Sequence, residues 1–354
     1  MLNQRWFVML CAFPLLLTAT SFAQSAQLDL PLDSQAATVS QRIGITDITI
    51  SYHRPLVQGR KIWGNIVPYG MVWRAGANQN TTIALTDPVT IEGQPLDKGT
   101  YGLHMIPGQD QWIVIFSKAN ASWGSFTYKE SEDALRVTVK PQAAAMQEAL
   151  SYDFDQVSPT SALITMRWEK LAVPFKVAVN VDDIVQNSLH TQLRGLAQYT
   201  WDGWDGAANY LLAHKLNLDE ALRYEDQSLQ VEERFENLMT KSRILDAMGK
   251  PEEAKTERSQ AMAKASPQQL HGYAFQLLAE KKPQQAWEVW RTNAKNHPEL
   301  WFTHAGMARV YSAQGDFDSA LKEEKMAEAG APDGTKALVQ RQIRRLEAKE
   351  DINH

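Results

Sequence analysis

The feature that most constrains this chain is a change of apolar period near residue 180. Up to Val179 the apolar residues alternate in short runs, as in Ile48, Ile50, Tyr52, in Trp112, Val114, Phe116, and in Ile164, Met166, Trp168. Neighbouring side chains on a strand point to opposite faces, so a period of two marks half-buried strands. From about Val181 onward the chain is rich in Ala, Leu, Glu, Gln and Lys, with apolar residues at helical spacing. A strand buries a face and a helix buries a stripe, so the two patterns need separate cores. The chain reads as a β-domain followed by an α-domain.

In the first half, turn signals such as Glu92-Gly93-Gln94-Pro95 and Pro107-Gly108-Gln109-Asp110 fall between the alternating runs. Their spacing is that of antiparallel hairpins. About eight half-buried strands need a second sheet to cover them, which predicts an antiparallel β-sandwich over 24–180. In the second half, helix-forming runs are cut at Gly249-Lys250-Pro251, Lys281-Lys282-Pro283 and Gly315-Asp316-Phe317. Ala221, Ala254, Ala286 and Ala320 follow the breaks at spacings of 33, 32 and 34 residues. That period belongs to solenoids of helical hairpins. Tyr311, Gly315, Ala320, Ala327 and Pro332 fall in the pattern of a tetratricopeptide repeat, which the stretch resembles. We expect a boundary at 180–184 with Val181-Asp182-Asp183 as a helix start, a linking helix over 181–200, about four repeats over 201–334, and a polar capping helix and tail over 335–354 with Arg341, Arg344 and Arg345 facing water.

Residues 1–23 carry Arg5, an apolar run from Trp6 to Leu17, and Ser21-Phe22-Ala23, small residues where signal peptidase needs them. Cleavage is expected before Gln24, giving an exported protein, periplasmic or extracellular. No later apolar run reaches the roughly 20 residues that span a bilayer. Cys11 is the only cysteine, so disulfide frameworks and thiolate metal clusters are out. With 36 basic against 41 acidic residues the net charge is −5, which argues against a nucleic-acid partner.

The densest polar and aromatic grouping reads Tyr52-His53-Arg54-Pro55, then Gly59-Arg60-Lys61-Ile62-Trp63-Gly64, then Pro68-Tyr69-Gly70-Met71-Val72-Trp73-Arg74-Ala75-Gly76-Ala77-Asn78. Together with Gly99 to Pro107 and the strand from Trp112 to Lys118, it resembles the bacterial domain-of-unknown-function 2911 family over about residues 27–180. The resemblance implies an exported protein, often with helical repeats behind the β-domain, and no assigned activity.

The residues themselves admit two readings. Arg54, Arg60 and Arg74 beside Trp63, Tyr69 and Trp73, with His53, Asn78 and His104 near, form a candidate pocket. There guanidinium forks would meet carboxylate or phosphate oxygens, aromatic faces would hold a ring, and Gly59, Gly64, Gly70 and Gly76 would admit a ligand to the backbone. Alternatively the aromatics are core, the arginines bind strand-end carbonyls and the glycines serve turns.

Catalytic signatures are missing: no His-Glu-x-x-His, no Cys-x-x-Cys, no nucleophile elbow and no phosphate loop. His53, His104 and His190 lack metal-ligand spacing, and Asp153 and Asp155 read as a wet sheet face. Neither metal nor cofactor is expected, and a binding protein is favoured over an enzyme. The leading expectation is an exported scaffold of the cell envelope that takes a protein or peptide in its repeat groove. There the first helix of each unit would present Tyr210 and His214, Arg243 and Asp246, His271 and Phe275, and Phe302 and Arg309. The alternative is a small-anion binder or enzyme at 53–78, with Arg54, Arg60 and Arg74 as clamps and His53 or His104 as acid or base.

Overall fold

The structure, a computed structural model, describes residues 30–353. The expected leader over 1–23 lies outside the described residues. The chain divides into two compact units between Val179 and Asn180.

The first unit is built from two antiparallel sheets. Strands β1 (Gln35–Ile43), β2 (Thr46–Arg54), β3 (Thr82–Leu85), β6 (Gly99–Ile106), β7 (Trp112–Ser117) and β8 (Asp133–Val139) form a six-stranded sheet in that order. Strands β4 (Val89–Ile91), β5 (Gln94–Leu96), β9 (Gln142–Asp155) and β10 (Ser161–Ala178) form the other, in the order β5-β4-β10-β9. The pair β4 and β5, three residues each, is too short to show a period. This is why ten strands stand among the described residues where about eight were expected.

The alternation seen in the sequence is the burial pattern: Ile48, Ile50 and Tyr52 of β2 and Ile164, Met166 and Trp168 of β10 are all buried. Phe116 of β7 and Phe175 of β10 meet edge to face at 6.0 Å, so the core lies between the sheets. Each such side chain contributes about 1.5–3 kcal/mol through burial. Strand β10 carries register irregularities around Glu169, whose φ is 54°. Asp153 and Asp155 share Arg167 at 3.1 and 2.5 Å, which makes that sheet face a charge-paired surface.

The second unit begins with α1 (Val181–Gln192), whose N-cap is Asn180, one residue before the expected start. Four helical hairpins follow: α2 (Trp201–Ala213) with α3 (Leu218–Val231), α4 (Phe235–Ala247) with α5 (Pro251–Lys264), α6 (Pro267–Ala279) with α7 (Pro283–Asn296), and α8 (Trp301–Ala313) with α9 (Phe317–Gly330). Helix α10 (Asp333–Glu347) closes the array.

Helix starts follow side-chain chemistry. Asn217, Ser266 and Asp316 accept the amides of Glu220, Gln269 and Ser319 at 3.2, 3.3 and 3.1 Å, and Pro251, Pro267 and Pro283 occupy first-turn positions where a missing N–H costs nothing. The four periodic alanines are each 0 % exposed, because the helices of a hairpin cross where only a methyl group fits. Helix α10 lays Val339, Ile343 and Leu346 inward, and Arg341 and Arg344 face water. Arg345 departs from that expectation: half-buried, it pairs with Glu350 at 3.3 Å. Among the described residues no helix is long and apolar enough to cross a membrane.

Candidate functional site

The residues singled out between 53 and 78 part into core and rim. Trp63 is buried and stands edge-on to Trp112 of the six-stranded sheet at 5.0 Å and to Trp168 of the four-stranded sheet at 5.7 Å. It is a core residue. Trp73 stacks on Trp168 with ring centres 5.9 Å apart, and its indole N–H donates to the Gly76 carbonyl at 3.1 Å. Half-buried, it is the wall at which core becomes surface.

The loop that follows is held in a conformation L-residues avoid. Ala75 and Asn78 have φ of 51° and 57°, and such backbone persists only where its surroundings over-determine it. Here the buried Ala75 carbonyl accepts from Thr81 Oγ1 at 3.1 Å and from Tyr152 Oη at 2.8 Å. A Cβ on Gly76 would stand 2.6 Å from Thr81 Oγ1 and 3.2 Å from the His53 carbonyl, so only glycine passes there. The Trp-Arg-x-Gly-Ala-Asn element is thus a clamp that fixes Arg74.

Arg74 Nη1 donates to the Asn78 carbonyl at 2.7 Å, and the guanidinium lies over Phe126 at 5.5 Å. Gly124, at φ 72°, makes room for it, since a Cβ there would come within 2.8 Å of Arg74 Cζ. Partial burial holds the guanidinium below its ordinary pKa. Arg60 donates from Nε to the Val57 carbonyl at 3.1 Å and from Nη2 to the Leu56 carbonyl. Both arginines line one cavity of about 360 Å³, with Trp73, Trp123 and Trp168 among its walls. A second cavity of about 390 Å³ shares Trp73 and Arg74 and adds Met71, Ser125 and Phe126.

Several residues of the expected pocket lie elsewhere. Arg54 donates to the Leu150 carbonyl at 2.9 Å and is not part of either wall. Tyr69 packs on Gly64, and Gly59 and Gly70 are turn residues at φ 67° and 74°. His53 is half-buried with a lowered pKa caused by desolvation. His104 is buried at 3 % exposure, which pushes it down to about 4, and its Nδ1 pairs with Ser125 Oγ at 2.9 Å. An imidazole so enclosed is neutral near pH 7 and reaches the cavity only through Ser125. Asn78 does line the cavity, with its side-chain amide donating to the Ser34 carbonyl at 3.2 Å.

The loop Trp123-Gly124-Ser125-Phe126 was missed by sequence reasoning, although it supplies wall, room and stacking partner to Arg74. Its one visible signal was two aromatic residues in a polar loop. Trp123 and Phe126 are 55 % and 82 % exposed.

In the second unit the expected groove residues gather in three groups. Tyr210 stacks on His214 at 4.1 Å, and both bind Asp182 of α1, at 3.1 and 2.8 Å. Arg243 holds Asn209 and Thr240 at 3.0 Å each, and Asp246 pairs with Arg258. His271, Phe275, Phe302 and Arg309 form one cluster: His271 accepts from the Trp290 indole at 3.1 Å, its ring lies 5.0 Å from Phe275 and 5.4 Å from Phe302, and Arg309 stands over Phe275 at 5.1 Å. Two of these four are not groove side chains. Phe302 is buried at 7 %, and Arg309 turns to the tail, donating to the Ile352 carbonyl at 2.8 Å. Phe275 remains open to solvent.

Sequence reasoning also passed over Glu225 and Glu324, each four residues after a periodic alanine and each 0 % exposed. Burial, with Asp205 adjacent, pushes Glu225 up to about 9, and burial pushes Glu324 to about 7 against the opposing charge of Arg309.

The fold and cavity define a β-sandwich unit with an arginine and tryptophan rim, joined to a unit of stacked helical hairpins. Residues 34–177, within the first unit, match the family described as a protein of unknown function (DUF2911). Among curated proteins none matches this chain. Among solved structures it is similar to YrrB, described as a TPR protein with an unusual peptide-binding site, at 13 % identity and TM-score 0.28 over 45 % of this chain and 82 % of that one. It is also similar to the APC/C hetero-tetramer Cut9–Hcn1, at 12 % identity and TM-score 0.29 over 46 % of this chain and 32 % of that one.

Proposed function

We propose that this protein is an exported scaffold of the bacterial cell envelope whose helical unit binds a protein or peptide. The observation that carries the reading is the Phe275 cluster. Stacked hairpins bury their alanines and leave first-helix side chains to face outward, and on α6 that exposed residue is an aromatic ring, 39 % open, backed by His271 and flanked by Arg309. Exposed aromatic anchors are where interfaces concentrate their binding energy. Export is supported by the leader pattern of residues 1–23.

Two measurements test this. Peptides selected from a random library on the full chain should lose binding on Phe275→Ala and keep it on Trp123→Ala; selected peptides indifferent to Phe275→Ala contradict the groove. N-terminal sequencing of protein recovered from the periplasm should begin at Gln24, and an intact Met1 contradicts export with cleavage.

A second reading, a binder of a small anion in the β-unit, is favoured by one specific observation. Of the six arginines there, Arg42, Arg136 and Arg167 are paired with carboxylates, whereas Arg54, Arg60 and Arg74 have no carboxylate partner among the described residues and hydrogen-bond to backbone carbonyls.

A further inference from the structure

We propose that the cavity between Arg60 and Arg74 binds a small organic carboxylate with a flat apolar body. The inference rests on the second reading above and adds the chemical class of the ligand. It starts from an imbalance of donors. The cavity presents two guanidinium groups, and no Asp or Glu is among its lining residues. Asp33 stands on an adjoining cavity that shares Arg60, but makes no ion pair with it among the described residues. Arg74 spends one N–H on the Asn78 carbonyl, and its other donors meet no acceptor among the described residues. A guanidinium with spare donors at the rim of a cavity can give several of them to one oxyanion.

Most of the remaining wall is apolar. Trp73 lies stacked on Trp168, and Trp123 and Ile66 are 55 % and 47 % exposed on the rim. Large apolar side chains left open beside unpaired cations suit a ligand that is charged at one end and apolar at the other. The volume of about 360 Å³ suits a small molecule. Carboxylate is favoured because a planar two-oxygen group matches a guanidinium fork, and planarity continues into a ring that can lie on Trp73 or Trp123. The site is pre-formed: the strained Ala75 and Asn78 backbone, the two side chains holding the Ala75 carbonyl and the space left by Gly124 fix Arg74 before any ligand arrives.

The test uses the full chain with benzoate, benzyl alcohol and acetate, followed by tryptophan fluorescence and calorimetric titration. Benzoate should bind saturably and alter the fluorescence, acetate should bind at least about tenfold more weakly, and benzyl alcohol should give no saturable signal. Arg60→Gln and Trp123→Ala, both at exposed side chains, should each weaken benzoate by about tenfold, with the Trp123→Ala chain keeping the wild-type thermal midpoint. Acetate and benzoate binding equally would overturn the apolar body and leave the anion reading standing. No binding by either anion would overturn both. Benzoate binding that both variants leave intact would place it elsewhere and overturn the site.

Discussion

Glu225→Gln removes the most displaced titration of the helical unit and predicts a change in how stability varies with pH. Glu225 on α3 is fully buried and faces Asp205 of α2, with Ser228 and Arg243 beside it. Burial and the like charge of Asp205 push its pKa from 4.5 to about 9, and burial raises Asp205 as well. Between those two values the native state keeps a proton that the unfolded chain has released. Stability is therefore complete below the unfolded value and falls as pH rises toward about 9, at about 1.4 kcal/mol per pH unit for one proton. From about pH 5.5 to 7.5 the wild-type chain should lose up to roughly 3 kcal/mol through this residue.

The substituted glutamine has nearly the shape of the protonated carboxyl and does not titrate. Urea unfolding followed by far-ultraviolet circular dichroism, run at several pH values in that window on both chains, reads the difference. Glu324 adds a slope of the same sign and His271 one of opposite sign. Both sit on other hairpins and cancel between wild type and variant. The advantage of the variant over the wild type should grow from the acid to the alkaline end of the window. Parallel pH profiles, or a variant that is weaker at the alkaline end, would falsify the raised titration of Glu225.

Other outcomes follow from the same contacts. Ala286→Leu or Ala320→Leu should destabilise the helical unit by about 1–3 kcal/mol, since added methylenes have no space at a fully buried crossing; an unchanged helical melting midpoint refutes the register. Tyr152→Phe should cost about 1 kcal/mol in the β-unit by removing the 2.8 Å bond to the Ala75 carbonyl, read by urea unfolding, and no loss would show that Thr81 alone holds the loop. Gly124→Ala should displace Arg74 and cost about 1–2 kcal/mol, through a positive φ as well as the 2.8 Å approach; wild-type stability would contradict both. By proton NMR His271 should titrate near 4, because burial disfavours the imidazolium, so the helical unit loses stability as pH falls from 6.5 toward that value; a midpoint near 6.5 contradicts its burial.

Local patterns along the chain determined a good deal on their own. A period of two on β2, β7 and β10, and a repeat of 32 to 34 residues marked by Ala221, Ala254, Ala286 and Ala320, specify elements and their inward faces, because both depend only on neighbours along the chain. The pairs that make the candidate site come from far apart. Arg74 depends on Gly124, Ala75 on Tyr152, and Trp73 on Trp168, and no periodicity connects residues that far apart in sequence. For the same reason the sequence could not sort Arg60 and Arg74 from Arg54, or Phe275 from Phe302. Residue type and spacing were alike, and what separated them was which side chain the tertiary fold left with solvent in front of it and which it closed over.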